Sequence, residues 1–284
     1  MKRSLHVGTI SVPYDSGHYR KRMGLGPEVL FRECLEPLFL KRGINYRHEE
    51  IISNQSHSAE ISSAFELCAT VSHRVQALRA ADYFPILLSG NCGIAIGGIS
   101  GCGAADTSVA WFDAHGEANT PETTNSGFLD GMGIAILTGQ CWRTLASQIP
   151  GFHALPGDRV LLIGSRDVEH QERRLLDQVG VRRIQSVSEV SAVASSLSQE
   201  INGCYFHFDL DVLDPKEAVV NQWAPPGGMM LEEALQVVDS ISAQLPVKGF
   251  GFGSYDPTVD GSGRGLKAAT AIMELLLPNK RGKS

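Results

Sequence analysis

Seven short apolar runs recur along the chain, closed by Gly, Asp or Ser and mostly separated by stretches of helical periodicity. They are LHVGTISV (5–12), FPILLSG (84–90), TSVAWFD (107–113), RVLLIGS (159–165), RRIQS (182–186), GCYFHFDLD (203–211) and VKGFGFGS (247–254). Strands that are apolar on both faces need cover on both sides, which a parallel sheet between layers of helix supplies. Candidate helices are PEVLFRECLEPLFLKRG from Pro27, ISSAFELCATVSHRVQALRAA (61–81), DVEHQERRLLDQVG, VSEVSAVASSLSQEI, LEEALQVVDSISAQ and GLKAATAIMELLL. In the first of these a proline opens the helix and a glycine follows it, the usual order of those two residues. The pattern predicts α/β architecture with a mainly parallel, doubly wound sheet. With no linker-like segment in view, it predicts one domain over residues 1–284.

The 284 residues are 43% hydrophobic and 20% charged, an ordinary globular composition with enough length for a sizeable core. A net charge of −6 offers no attraction for nucleic acid or an anionic membrane, so neither is an expected partner. No apolar run reaches the roughly 18 to 20 residues that span a bilayer. MKRSLHVGTISVPYDSG is interrupted at Tyr14 and Asp15 and reads as a first strand, not a secretion signal. Cys34, Cys68, Cys92, Cys102, Cys141 and Cys204 sit in mostly apolar contexts without a CxxC pair. That suits buried thiols in a reducing compartment, and the expected setting is cytoplasmic.

In such folds ligands gather at the carboxyl edge of the sheet, and three runs end in polar residues there: LLSGNC, AWFDAHGE and HFDLDVLDP. Asp113, His115 and Glu117 are spaced by two, so on an extended strand they would face one side. Asp209 and Asp211 in isolation are as readily helix caps as functional groups. Asp214 before Pro215 reads as a turn residue, and His207 as a core histidine or one lying behind the ligands. Together, five oxygen or nitrogen donors from two strand ends suit Mn²⁺, or Zn²⁺ and Fe²⁺ less selectively. Two metals bridged by carboxylates would need about this many ligands. They would generate a nucleophile from water near neutral pH and polarise the group under attack.

The ordered set SGNCG, DAHGEANTPETTNSG and FDLDVLDP resembles the metal signatures of the ureohydrolase superfamily of arginases, agmatinases and related amidinohydrolases. GLGP (24–27), LLIGSRDVEHQE (161–172) and PGG (226–228) extend the resemblance over the whole chain in the right order. It implies a three-layer α/β/α fold, two divalent ions (Mn²⁺ first), and hydrolysis of a linear C–N bond in an amidine or guanidine. It also implies a small-molecule substrate and a homo-oligomer, trimer or hexamer.

Carried over by position, Asp113, His115, Asp209 and Asp211 match family metal ligands unchanged. Cys92 stands where the family has histidine, and Glu117 where it has aspartate. Both can ligate, but thiolate favours Zn²⁺ or Fe²⁺ over Mn²⁺, and glutamate reaches roughly 1.5 Å further. Cys92 is equally a small buried thiol by its residue type. Asn119, Thr124 and Ser126 match positions that hold a substrate α-carboxylate in arginases, although a polar loop uses the same residues as turn caps; Glu122 has no counterpart and is expected in solvent. Asp130 replaces a histidine assigned to proton transfer, which makes it a candidate catalytic acid alongside the ligand Asp211. Ser254 replaces the glutamate that pairs with a guanidinium, and Asp256 is a weak substitute two residues on. Trp223 in NQWAPP reads as packing in preference to a cleft cap. Cysteine at the first histidine position, with the NTPETT and GSRD segments, also resembles the branch acting on N-hydroxyarginine. Four departures around one cleft (Cys92, Glu117, Asp130, Ser254) leave a second reading, a weak or inactive family member with a binding or regulatory role.

Overall fold

Side chains on successive strand residues point to opposite faces, and the two hydrophobic clusters of this chain divide by that parity. The computed structural model describes residues 5–53 and 59–278. The seven apolar runs are strands β1 (His6–Val12), β3 (Phe84–Ser89), β4 (Ser108–Phe112), β5 (Val160–Ile163), β6 (Arg182–Ile184), β7 (Cys204–Asp209) and β8 (Val247–Gly253). With β2 (Asn45–Glu50) they form one parallel sheet in the order β2-β1-β3-β8-β7-β4-β5-β6. Ile86, Leu88, Ala110, Phe112, Phe206, Phe208, Phe250 and Phe252 pack on one face, against helices that include Val187–Leu197, Leu231–Ser242 and Arg264–Leu276. Leu87, Val109, Trp111, Leu162 and Tyr205 pack on the other, against Glu60–Ala80, Ala95–Gly101 and Gly133–Leu137. The expected α/β/α layering is therefore present.

The sequence pattern does not reveal β2, NYRHEE, because this edge strand is half in solvent and carries no apolar alternation. A two-residue antiparallel hairpin, Tyr14–Asp15 with His18–Tyr19, also sits in what reads as a loop. The strand ends near the cleft are fixed by ring stacking: Phe112 on Phe208 at 4.0 Å and Phe208 on Phe252 at 5.4 Å. After β3 the chain passes against the hairpin so closely that a Cβ on Gly90 would lie 2.2 Å from the Tyr14 carbonyl oxygen. Among the described residues no helix is long and apolar enough to cross a membrane, and all six cysteines are free thiols.

Candidate metal centre and cleft

The four central strands, β3, β8, β7 and β4, deliver their carboxyl ends side by side. Cys92 follows β3, Ser254 follows β8, Asp209 closes β7 with Asp211 beyond it, and Asp113 follows β4. Asp113, Asp209, Asp211, Glu117 and Asp130 are all buried there. The carboxylates are held by donors from neighbouring turns. Asp113 accepts from Trp111 Nε1 at 3.0 Å and from the His115 amide at 2.8 Å. Asp211 accepts from the Ala114 amide at 3.1 Å and from Asn221 Nδ2 at 3.3 Å. Asp209 accepts from the Asp211 amide at 2.8 Å and from the Cys92 thiol at 3.0 Å. His115 Nδ1 lies 3.2 Å from Asp113 and 3.4 Å from Asp211.

So many carboxylates out of water repel one another and resist ionising. Burial, reinforced by neighbouring carboxylates, pushes Asp209 and Glu117 well above the ordinary range. Burial and then the charge of Asp113 lift Asp211 to about 6. Burial lifts Asp130 to about 7 against three hydrogen bonds that favour its anion. For His115 burial opposes charging, but its hydrogen bond to Asp113 and the surrounding carboxylates prevail and raise it to about 10. A negative cluster of this density calls for cations. Two sets of donor atoms, each within 4.8 Å of one another, are present: Asp113–His115–Asp211 and Cys92–Asp113–His207. Asp113 belongs to both. The residues fit a pair of divalent ions that share one carboxylate.

Two expectations need correction. The strand ends at Phe112, so Asp113, His115 and Glu117 do not share a face by strand alternation; Glu117 has φ +52°, in the left-handed region. The loop is shaped instead by Glu172, which accepts from the Ala118 amide at 3.0 Å and closely overlies Gly116. Glu117 is therefore absent from both donor sets and keeps its Oε2 unpartnered in the cleft wall. Trp223 is 56% exposed at the cleft mouth and is not packing. Asp256 lines an adjoining cavity and accepts from the Thr258 amide and hydroxyl, a turn-capping job that does not replace the missing glutamate.

The other assigned residues converge. A cleft of about 930 Å³, counting its open mouth, is lined by His115, Glu117, Asn119, Thr124, Ser126, Asp130, Asp209, Asp211 and Ser254, with Cys92 and Asp113 buried beneath. Asn119, Thr124 and Ser126 cap turns as well: Asn119 accepts from Thr123, and the Gly127 and Phe128 amides donate to Thr124 and Ser126. Asp130 accepts from Asn91 Nδ2 and from the Cys92 and Gly93 amides, so it holds the turn that carries Cys92. Asp214 accepts from the Lys216, Gly227 and Gly228 amides, which is the turn role expected of it, and Glu122 is exposed.

Residues to which the sequence assigned no ligand or substrate role complete the site. Arg166 of the GSRD segment donates to the carbonyls of Gly164, Asp211, Val212, Leu213 and Pro225, tying the DLDVLDP turn to the APPGG loop. Asn221 joins Asp211 to the Ser254 carbonyl. His207 comes into contact range of Cys92 and Asp113. Its signal was its spacing of two from Asp209 on one strand.

The family model described as the arginase family matches residues 5–277. An arginase of Bacillus caldovelox is 28% identical over 300 residues, 96% of this chain and 98% of that protein. The solved arginase structure from that organism superposes with a TM-score of 0.86 at 22% identity, covering 98% of this chain and 99% of that one. Formimidoylglutamase from Bacillus subtilis superposes with a TM-score of 0.76 at 18% identity, covering 96% of this chain and 86% of that one.

Proposed function

The chain belongs to the arginase family, a family of metal-dependent amidinohydrolases, and from that premise we propose that it hydrolyses the amidino C–N bond of an amino-acid-like substrate of arginine or N-hydroxyarginine type. The observation that carries this reading is the cleft itself. Buried carboxylates and an imidazole line it, and Asn119, Thr124 and Ser126, the positions matched to α-carboxylate binding, line the same cleft.

Asp113, His115, Asp209 and Asp211 would hold one divalent ion and Cys92 contributes to the other, with Mn²⁺ the first expectation and Zn²⁺ or Fe²⁺ favoured wherever the thiolate binds. When bound, the ions would supply a water acidified toward neutral pH and a positive charge against the developing negative one. Asp130, at a pKa of about 7 in the cleft wall, is matched to holding and returning a proton near neutral pH. Ser254 presents a single hydroxyl where a carboxylate would grip a guanidinium on two nitrogens. An N-hydroxylated amidino group is less basic and brings its own hydroxyl, so it loses less by that replacement than arginine does. Trp223 at the mouth offers a face to the substrate's chain.

A single domain over 1–284, a homo-oligomer and a cytoplasmic setting belong to the same proposal; light scattering tests the second. The decisive experiment incubates the metal-loaded protein with arginine, N-hydroxyarginine, agmatine and formimidoylglutamate and follows urea, hydroxyurea, formamide and ammonia. Turnover is expected to be fastest with N-hydroxyarginine, whose cleavage leaves the N-hydroxyl on the carbon fragment and releases hydroxyurea, whereas arginine and agmatine release urea. Inertness toward all four with Mn²⁺, Zn²⁺ and Fe²⁺ would sink the proposal in favour of a binding role.

A further inference from the structure

Resting on the arginase-family reading, we propose that the second cation site of this chain is rebuilt around Cys92 and His207, giving a thiolate–imidazole–carboxylate site that takes Zn²⁺ or Fe²⁺ in preference to Mn²⁺. The Cys92 Sγ, an Asp113 carboxylate oxygen and a ring nitrogen of His207 lie within 4.8 Å of one another. In a tetrahedral shell with bonds of about 2.0–2.3 Å ligand atoms stand roughly 3.3–3.8 Å apart, so closing on a shared ion draws the three together by roughly 1.3 Å at most. Asp209 Oδ2, already 3.0 Å from the sulfur, supplies a fourth donor.

His207 is the observation that points to a ligand. It is fully buried in β7, and among the described residues neither ring nitrogen has a hydrogen-bond partner. An imidazole in that state is costly unless something binds it. Its one close ring neighbour, Trp111, meets it at 4.3 Å between centroids and directs its own N–H to Asp113 instead. Gly253 keeps the approach open: a Cβ there would stand 3.2 Å from the Cys92 sulfur and 3.4 Å from His207 Cε1.

The imidazole that the family places after the third strand is thus recovered from inside the neighbouring strand arrangement, two residues before Asp209. Glu117 lies outside this donor set. The donor sets then differ in softness. Sulfur and nitrogen on one side select Zn²⁺ or Fe²⁺, whereas Asp113, His115 and Asp211 on the other suit Mn²⁺. Asp113, common to both, makes the centre a mixed-metal pair. Binding at the rebuilt site replaces the thiol S–H bond with a sulfur–metal bond, and the proton goes to solvent.

The test uses Co²⁺ as the probe on the metal-stripped full chain, reading stoichiometry by elemental analysis and the ultraviolet thiolate-to-cobalt charge-transfer band. Wild type should bind two Co²⁺, one of which brings up the band. Cys92→Ser should remove the band and keep the other ion; His207→Leu should weaken the band-forming site at least tenfold while sparing the other. Two ions without a thiolate band, or an unaltered band-forming affinity in His207→Leu, overturns the rebuilt site and leaves the amidinohydrolase reading standing. Binding of no ion overturns both. Should His207→Leu fail to fold, X-ray absorption on wild type carrying one Zn²⁺ decides instead, since a zinc shell lacking sulfur refutes the proposal.

Discussion

Removing metal should make this protein less stable as the pH rises from 5 to 8, the reverse of what paired surface carboxylates produce. Burial raises Asp130 from an ordinary 3.8 to about 7. A carboxyl whose folded pKa is raised favours folding below its unfolded pKa and loses that advantage as pH climbs through the folded one. At about 1.36 kcal/mol per unit, Asp130 alone costs the fold roughly 2.5 kcal/mol between pH 5 and pH 8. Asp211, raised to about 6, and Asp209 and Glu117, raised further, act in the same direction. So does His115, because the stability given by its raised pKa is complete below 6.5 and is lost toward its folded value of about 10. His207 runs the other way: burial holds it near 4, so it disfavours the fold as pH falls below 6.5, offsetting about 2 kcal/mol at pH 5. The balance is a net fall of about 2 kcal/mol or more, about 5 °C in Tm for a domain of this size. Thermal unfolding of chelator-treated protein at pH 5, 6.5 and 8 measures it. Saturating Mn²⁺ or Zn²⁺ should flatten the slope by taking up the ionised ligands Asp209, Asp211 and His115. A metal-free Tm that is flat or rises across this range would refute the electrostatic picture of the site.

Other perturbations separate the remaining roles. Asp113→Asn removes the carboxylate common to both donor sets, so bound metal should fall from two ions per chain to none by elemental analysis, with the metal-free protein no less stable. Arg166→Lys replaces a planar fork that donates to several carbonyls with a point charge, and should cost about 2–4 kcal/mol in urea unfolding. Trp223→Ala, at an exposed cleft mouth, should raise KM about 5- to 30-fold, the equivalent of ~1–2 kcal/mol of stacking, with Tm unchanged. A fall in kcat with KM untouched would place Trp223 elsewhere in the chemistry.

The sequence by itself determined the layered sheet, because strands such as VAWF and VLLI are apolar at every position and so demand cover on both faces. It also determined which strand ends carry polar groups, since short-range spacing around DAHGE and DLD is local. Tertiary structure decided what those groups do. β2 escaped notice because an edge strand need not be apolar, and Glu117 sits on a left-handed backbone in a loop, where strand alternation does not set its direction. Trp223 stands in solvent on a loop that Arg166, distant in sequence, holds at Pro225, while the neighbouring Asn221 accepts from the Trp223 amide. His207 shows the limit most clearly. A histidine in an apolar strand reads as core until β3, β4 and β8 are laid beside it, and only then do Cys92, Asp113 and the open space at Gly253 surround its nitrogens. Periodicity fixes which face a side chain takes; which neighbour it meets there depends on strand order, and strand order is set by packing between residues far apart in the chain.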